Sequence, residues 1–164
     1  MKRLMPLLLA ALSLSQPLRS SAAAAGEAAP DCNLVSFADG KPLSLKRPGK
    51  VVYLDFWASW CGPCAESMPV MNRMHDELQG KGLEVIAVNL DEEREDADEF
   101  LTKRPVRFTI AGNPDGACPN AFGVAAMPSS YLIDRKGVIR HVLLGFRKGE
   151  AAAIRKKVDA LLAE

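Results

Sequence analysis

The sequence predicts an α/β fold in which a central mixed sheet is flanked by helices. Two apolar runs, 51–57 and 83–90, are each followed by a stretch of helical patterning, and strand, helix, strand, helix in that order implies parallel pairing. Further along, 129–134 and 138–144 flank Arg135-Lys136-Gly137 as an antiparallel hairpin, and a closing amphipathic helix follows.

At the N-terminus, Lys2 and Arg3 precede the apolar stretch 4–14 and then the small-residue run Ala22-Ala23-Ala24-Ala25. This pattern reads as an export signal with cleavage near Ala24 or Ala25, giving a signal peptide over 1–25 and one domain over 26–164. The apolar stretch is short for a membrane span, so a retained anchor is the lesser reading, and the processed chain is expected to have no stable membrane insertion. No Cys follows the small residues where a lipid would be attached. Loss of Lys2, Arg3 and Arg19 turns the net charge of +1 slightly acidic, which argues against nucleic acid and against an anionic membrane surface as partners. The remaining length, about 140 residues, suits a single core.

Within that domain, 34–37 and 42–45 flank Asp39-Gly40 and predict an N-terminal β-hairpin. The run 51–57 is apolar with one acid inside it, the pattern of a strand covered on both faces. From Cys61 onward, Met68, Met71, Met74 and Leu78 recur at helical spacing, with Pro69 expected to kink the helix. Those methionines read as core packing rather than as a metal ligand set. A second buried strand over 83–90 leads to a charged helix over 91–104 that turns Phe100 and Leu101 inward. Its acids, Asp91, Glu92, Glu93, Glu95, Asp96, Asp98 and Glu99, read as a solvated face. A short strand at 108–110 leads into the turn Asn113-Pro114-Asp115-Gly116 and a short helix to Phe122. Met127-Pro128 then opens the hairpin, and Ile154, Val158, Leu161 and Leu162 line the final helix.

The segment Trp60-Cys61-Gly62-Pro63-Cys64 carries the chemistry, because it sets two thiols where a buried strand hands over to a helix. Unpaired backbone N–H groups and the positive end of the helix dipole stabilise thiolate over thiol there, which makes Cys61 the attacking sulfur. One helical turn brings Cys64 within reach of a mixed disulfide on Cys61, as the resolving thiol. Gly62 permits close approach of a partner backbone, and Pro63 is tolerated in a first turn where its missing N–H costs nothing. The pair can therefore cycle between dithiol and disulfide without any further cofactor.

Other chemistries use the same spacing. Zinc needs a second pair, and Cys32 and Cys118 stand alone in the sequence, so no metal site is expected. Haem attachment needs His after the second Cys, where this chain has Ala65. A purely structural local disulfide is a third reading, although such short loops are readily reduced.

The order of strand, Trp-Cys-Gly-Pro-Cys, helix, strand, helix, a Pro opening a hairpin and a closing helix resembles thioredoxin over the whole processed chain. The insertion between about Asp91 and Ile110, the export signal, and the stretches Asp55-Phe56-Trp57-Ala58-Ser59-Trp60-Cys61-Gly62-Pro63-Cys64 and Tyr131-Leu132-Ile133-Asp134 are similar to the exported TlpA/ResA-like branch. The resemblance implies a thioredoxin-like fold and a cis peptide bond before Pro128, with that loop facing the dithiol. The Met127 backbone would then be free to pair with an extended substrate strand, as in β-augmentation. A trans Pro128 that merely begins an edge strand is the plainer alternative.

Asp55 lies among Val51, Leu54, Phe56 and Trp57, where a dry charge is costly, so its proton affinity should rise. Behind Cys64, it could take that thiol's proton as Cys64 attacks. Thioredoxin has an Asp at the matching position, whereas many TlpA/ResA-like proteins carry a Glu on the helix, where this chain has Ser67. Glu66 is one residue earlier, turned about 100° around the helix, and reads as solvated. The plainer reading of Asp55 is a hydrogen-bonded and catalytically idle acid. Trp57 reads as core and Trp60 as partner-facing rim. His75 and His141 are lone residues with solvation as their default.

Cys32 and Cys118 match no thioredoxin motif. In an oxidising compartment a structural disulfide between them is expected, with a second redox pair and two inert thiols as rivals.

The expectation that follows is an exported, periplasmic or otherwise extracytoplasmic thiol:disulfide oxidoreductase acting on protein disulfides. By resemblance, a membrane thiol-electron donor supplies it, and its substrates include apocytochrome c or a metal-site cysteine pair of an oxidase. Two rivals are a thiol peroxidase on the same fold, whose Thr-x-x-Cys frame is missing here, and a copper metallochaperone using Cys61 and Cys64, which lacks a nearby third ligand in sequence.

Overall fold

The computed structural model describes residues 23–164, so the expected signal segment lies almost wholly outside the described residues. Among the described residues, seven strands, numbered in chain order as β1 (Leu34–Ser36), β2 (Pro42–Leu43), β3 (Val51–Trp57), β4 (Leu83–Asn89), β5 (Thr109–Gly112), β6 (Ser129–Ile133) and β7 (Ile139–Leu144), form one sheet in the order β2-β1-β5-β4-β3-β6-β7. The central strand β3 (Val51–Trp57) pairs in parallel with β4 (Leu83–Asn89) and antiparallel with β6 (Ser129–Ile133). Strand β7 (Ile139–Leu144) forms the hairpin with β6. Because β3 has a neighbour on both edges and helices on both faces, all seven of its residues are buried.

Alternation along β3 divides the core. Val51, Tyr53 and Trp57 face one layer, with Met68, Met71 and Met74 of α1 (Gly62–Leu78), Ile154, Val158 and Leu161 of α4 (Ala151–Leu162), and Phe100 of α2 (Arg94–Lys103). Val52, Leu54 and Phe56 face the other, with Ile86, Val88, Tyr131 and Phe122 of α3 (Ala117–Phe122). Here the rings of Phe122 and Tyr131 meet edge-on at 4.8 Å, and the Tyr131 hydroxyl donates to the Phe122 carbonyl at 2.7 Å.

The N-terminal ribbon, β1 (Leu34–Ser36) and β2 (Pro42–Leu43), does not stand apart from the sheet. Strand β5 (Thr109–Gly112) lies parallel to β4 and antiparallel to β1, and so joins the ribbon to the rest. On the face shared with α3, Cys32 and Cys118 form a disulfide with Cα atoms 5.3 Å apart, tying the segment before β1 to the first turn of α3.

Helix α1 runs through Pro69 as one element, and lacks a donor there for the Ala65 carbonyl. Leu101 is only half-buried, whereas Phe100 packs its ring 5.3 Å from that of Trp57. Helix α2 begins at Arg94 rather than at 91, because Asp91 is engaged elsewhere, as described below.

Candidate active site

Strand β3 ends at Trp57, and the loop Ala58-Ser59-Trp60 carries the chain to Cys61, the N-cap of α1. The Cys61 sulfur accepts the Cys64 backbone N–H at 3.2 Å, one of the donors that a first helical turn leaves without an intrahelical partner. A developing thiolate at Cys61 thus meets an N–H already aimed at it, at the positive end of the helix. Cys61 and Cys64 are joined as a disulfide, their Cα atoms 5.3 Å apart. Cys61 keeps 5% of its surface exposed and Cys64 none, so a partner sulfur has access only at Cys61.

Around this pair, Gly62, Pro63 and Trp60 are exposed, Trp60 at 72%. A side chain at Gly62 would meet nothing within 4 Å, and its backbone does not enter the left-handed region. The glycine is therefore not required by the fold, and the space above it is open to a partner.

Register places the second loop. Phe56 lies opposite Ser129 and Asp55 opposite Ser130, so Met127-Pro128, just before β6, sits at the same end of the sheet as the Ala58–Cys61 turn. The Met127–Pro128 peptide is cis, and Met127 packs against the core cluster that contains Cys61 and Cys64.

Asp55 is fully buried. It follows Tyr53 and precedes Trp57 by two residues each, so it shares their face of β3, the face on which Cys64 packs. The Ser130 hydroxyl donates to Asp55 Oδ1 at 2.5 Å, while Oδ2 has no donor among the described residues. Burial pushes the carboxyl up to about 7, and the Ser130 hydrogen bond opposes that rise. Near neutral pH the group stands between its two forms.

Ser67 is buried and donates to the Cys64 carbonyl at 3.0 Å, whereas Glu66 is exposed and lies 3.7 Å from the Lys148 ammonium. His75 and His141 are both half-buried, in α1 and β7.

Asp91, read from sequence as part of a solvated helix face, has a different place. Its carboxylate accepts the Ser59 N–H at 2.9 and 3.1 Å, the Ser59 hydroxyl at 2.9 Å and the Asn89 amide at 2.7 Å. It thereby clamps the end of β4 to the loop that carries Trp60 and Cys61. The signal available in the sequence was its position directly after a buried parallel strand, beside the end of the strand that delivers the dithiol.

A strand-to-helix Cys-x-x-Cys disulfide, with a cis-proline loop at the same end of a mixed sheet, defines a thioredoxin-type thiol:disulfide oxidoreductase. Comparison with known proteins narrows the class. The redoxin family profile matches residues 24–162, and the chain belongs to that family. The thiol-disulfide oxidoreductase ResA of Geobacillus thermodenitrificans is 33% identical over 125 residues, 76% of this chain and 72% of the relative. ResA of Bacillus anthracis is 34% identical over 121 residues, 73% of this chain and 69% of the relative. Among solved structures, a protein of Chlorobium tepidum assigned as the thiol:disulfide interchange protein DsbE superposes with a TM-score of 0.81 at 43% identity, covering 86% of this chain and 99% of that one. A protein of Bacteroides thetaiotaomicron assigned as a protein disulfide isomerase gives a TM-score of 0.77 at 28% identity, over 87% and 92% of the two chains. These likenesses, and the expectations of fold and enzyme class drawn from the sequence, agree.

Proposed function

We propose that this thiol:disulfide oxidoreductase works outside the cytoplasm as a reductant of protein disulfides. The Cys61 thiolate attacks one sulfur of a partner disulfide, forming a mixed disulfide and releasing the partner's other sulfur as thiolate. Cys64 gives its proton to Asp55 and attacks Cys61, which closes the Cys61–Cys64 disulfide and frees the second partner thiolate. Two electrons pass to the partner, and the enzyme dithiol becomes the disulfide. A membrane thiol-electron donor restores the dithiol by the reverse exchange, so the only redox centre needed is the cysteine pair itself.

The observation that carries the reading is the asymmetry of the pair: Cys61 caps the helix and retains a solvent-facing fraction of 5%, while Cys64 has none. Exposed Trp60, Gly62 and Pro63 with half-buried Met127 form the surface on which the partner chain rests, and Pro128, itself buried, shapes the Met127 backbone beneath it. Location outside the cytoplasm is supported by Lys2, Arg3, the apolar stretch 4–14 and the alanines at 22–25. The likeness to a thiol-disulfide oxidoreductase and a thiol:disulfide interchange protein supports protein cysteine pairs as substrates, and the resemblance read from the sequence suggests those of apocytochrome c or of an oxidase metal site.

Replacing the resolving thiol tests this. A Cys64→Ser protein should accumulate mixed disulfides through Cys61 with exported proteins that carry cysteine pairs, released by dithiothreitol. A trap that stays empty while Cys61 remains alkylatable would contradict the protein-substrate reading.

A further inference from the structure

We propose that Ser130 is a positioning residue for the resolving step: its hydroxyl holds Asp55 Oδ1 and so leaves Oδ2 as the oxygen that takes the proton of Cys64. The inference rests on the reading of Asp55 as the acceptor of that proton, and adds what selects the accepting atom and sets the pH at which it accepts.

The geometry comes from strand register. Ser130 lies directly opposite Asp55 across the β3–β6 ladder, so both side chains rise from the same face of the sheet. The hydroxyl donates to Oδ1 at 2.5 Å, and Oδ2 is buried with no donor among the described residues. A carboxylate in a dry site with one oxygen engaged and the other free is most basic at the free oxygen.

Among the described residues, no charged side chain packs against Asp55 from the elements around it. From β4, Ala87 lies opposite Asp55. From α1 the buried groups on this face are Cys64, Ser67, three methionines and Leu78, and from α4 they are Ile154, Val158 and Leu161. On β3 itself, burial and the Asp55 charge hold the Tyr53 phenol well above its ordinary range, against an opposing hydrogen bond with the same Ser130 hydroxyl, so it stays neutral. Among the described residues Ser130 is thus the side chain hydrogen-bonded to Asp55, and it favours the charged form.

The test follows resolution directly. Reduced protein is charged at Cys61 with one thionitrobenzoate, and its release by Cys64 is followed by absorbance as a function of pH. In the wild type the rate should rise through an inflection near the Asp55 value of about 7. Ser130→Ala should move that inflection upward by about one pH unit, Ser130→Val likewise, and Ser130→Thr should restore it. In an Asp55→Asn background the serine substitutions should shift nothing. Wild-type inflections in both Ser130→Ala and Ser130→Val, or the same shifts with Asp55 absent, would overturn the role of Ser130. An Asp55→Asn protein that keeps the wild-type inflection would instead overturn the role of Asp55 itself.

Discussion

Replacing Asp55 by Asn should stabilise the oxidised protein, and by an amount that grows with pH. The substitution keeps the shape and an acceptor for the Ser130 hydroxyl, and removes only the ionisable oxygen. In the fold, burial raises the carboxyl from an ordinary value near 3.8 to about 7. At about 1.4 kcal/mol for each unit of pKa, that difference corresponds to about 4 kcal/mol. The sign follows from the raised folded value. The protonated acid is tolerated without penalty below the unfolded value, stability is then lost as pH climbs from about 4 to about 7, and above that range the fold carries the full cost of a dry charge. Asn, always neutral, escapes this loss. The stability difference between variant and wild type, measured by guanidinium unfolding with both disulfides intact, should therefore be about 3 kcal/mol larger at pH 8 than at pH 5. All other titrating groups are common to the two proteins and cancel. A difference that stays flat between those pH values would refute the claim that Asp55 is held in a low-dielectric site with a raised proton affinity.

Two further outcomes follow from the same structure. Removing the second disulfide with Cys32→Ser and Cys118→Ser should destabilise the protein by about 2–5 kcal/mol, because the bridge closes a loop of sequence separation 86; unfolding midpoints will show it, while exchange at the Cys61–Cys64 pair should persist at a similar rate. Asp91→Ala removes the acceptor for the Ser59 N–H and hydroxyl and for the Asn89 amide, and should cost about 2 kcal/mol. It should also change the equilibrium of the dithiol with glutathione, whereas an Asp91→Ala protein with wild-type stability and potential would show that the loop needs no clamp.

Much of the site is legible in the sequence because it is built from local chemistry. The dithiol and its helix cap lie within one turn, the proline that opens β6 is a covalent singularity, and an acid inside an apolar strand announces itself by cost alone. The parts that escape depend on register between distant segments. Ser130 looks like any polar residue of a strand, and only the antiparallel alignment with β3 brings it to Asp55, 75 residues away. Asp91 hides in a run of acids that truly is solvated beyond Arg94, and its partner Ser59 lies 32 positions earlier at the end of the neighbouring strand. The bond between β5 and β1 escapes for the same reason, since short strands with half-buried residues carry little periodicity to align. Pro69 leaves the Ala65 carbonyl without its helical donor, yet α1 continues through it to Leu78, with Met68, Met71 and Met74 buried on one face.

The central claim is that the two sulfurs have different jobs, and timed alkylation of the reduced protein with iodoacetamide, mapped residue by residue from pH 4 to pH 9, tests it most directly. The account predicts that Cys61 is modified first, with an inflection below the ordinary thiol value of about 8.5, while Cys64 remains protected. Equal labelling of the two, or a Cys61 inflection at or above that value, would contradict it.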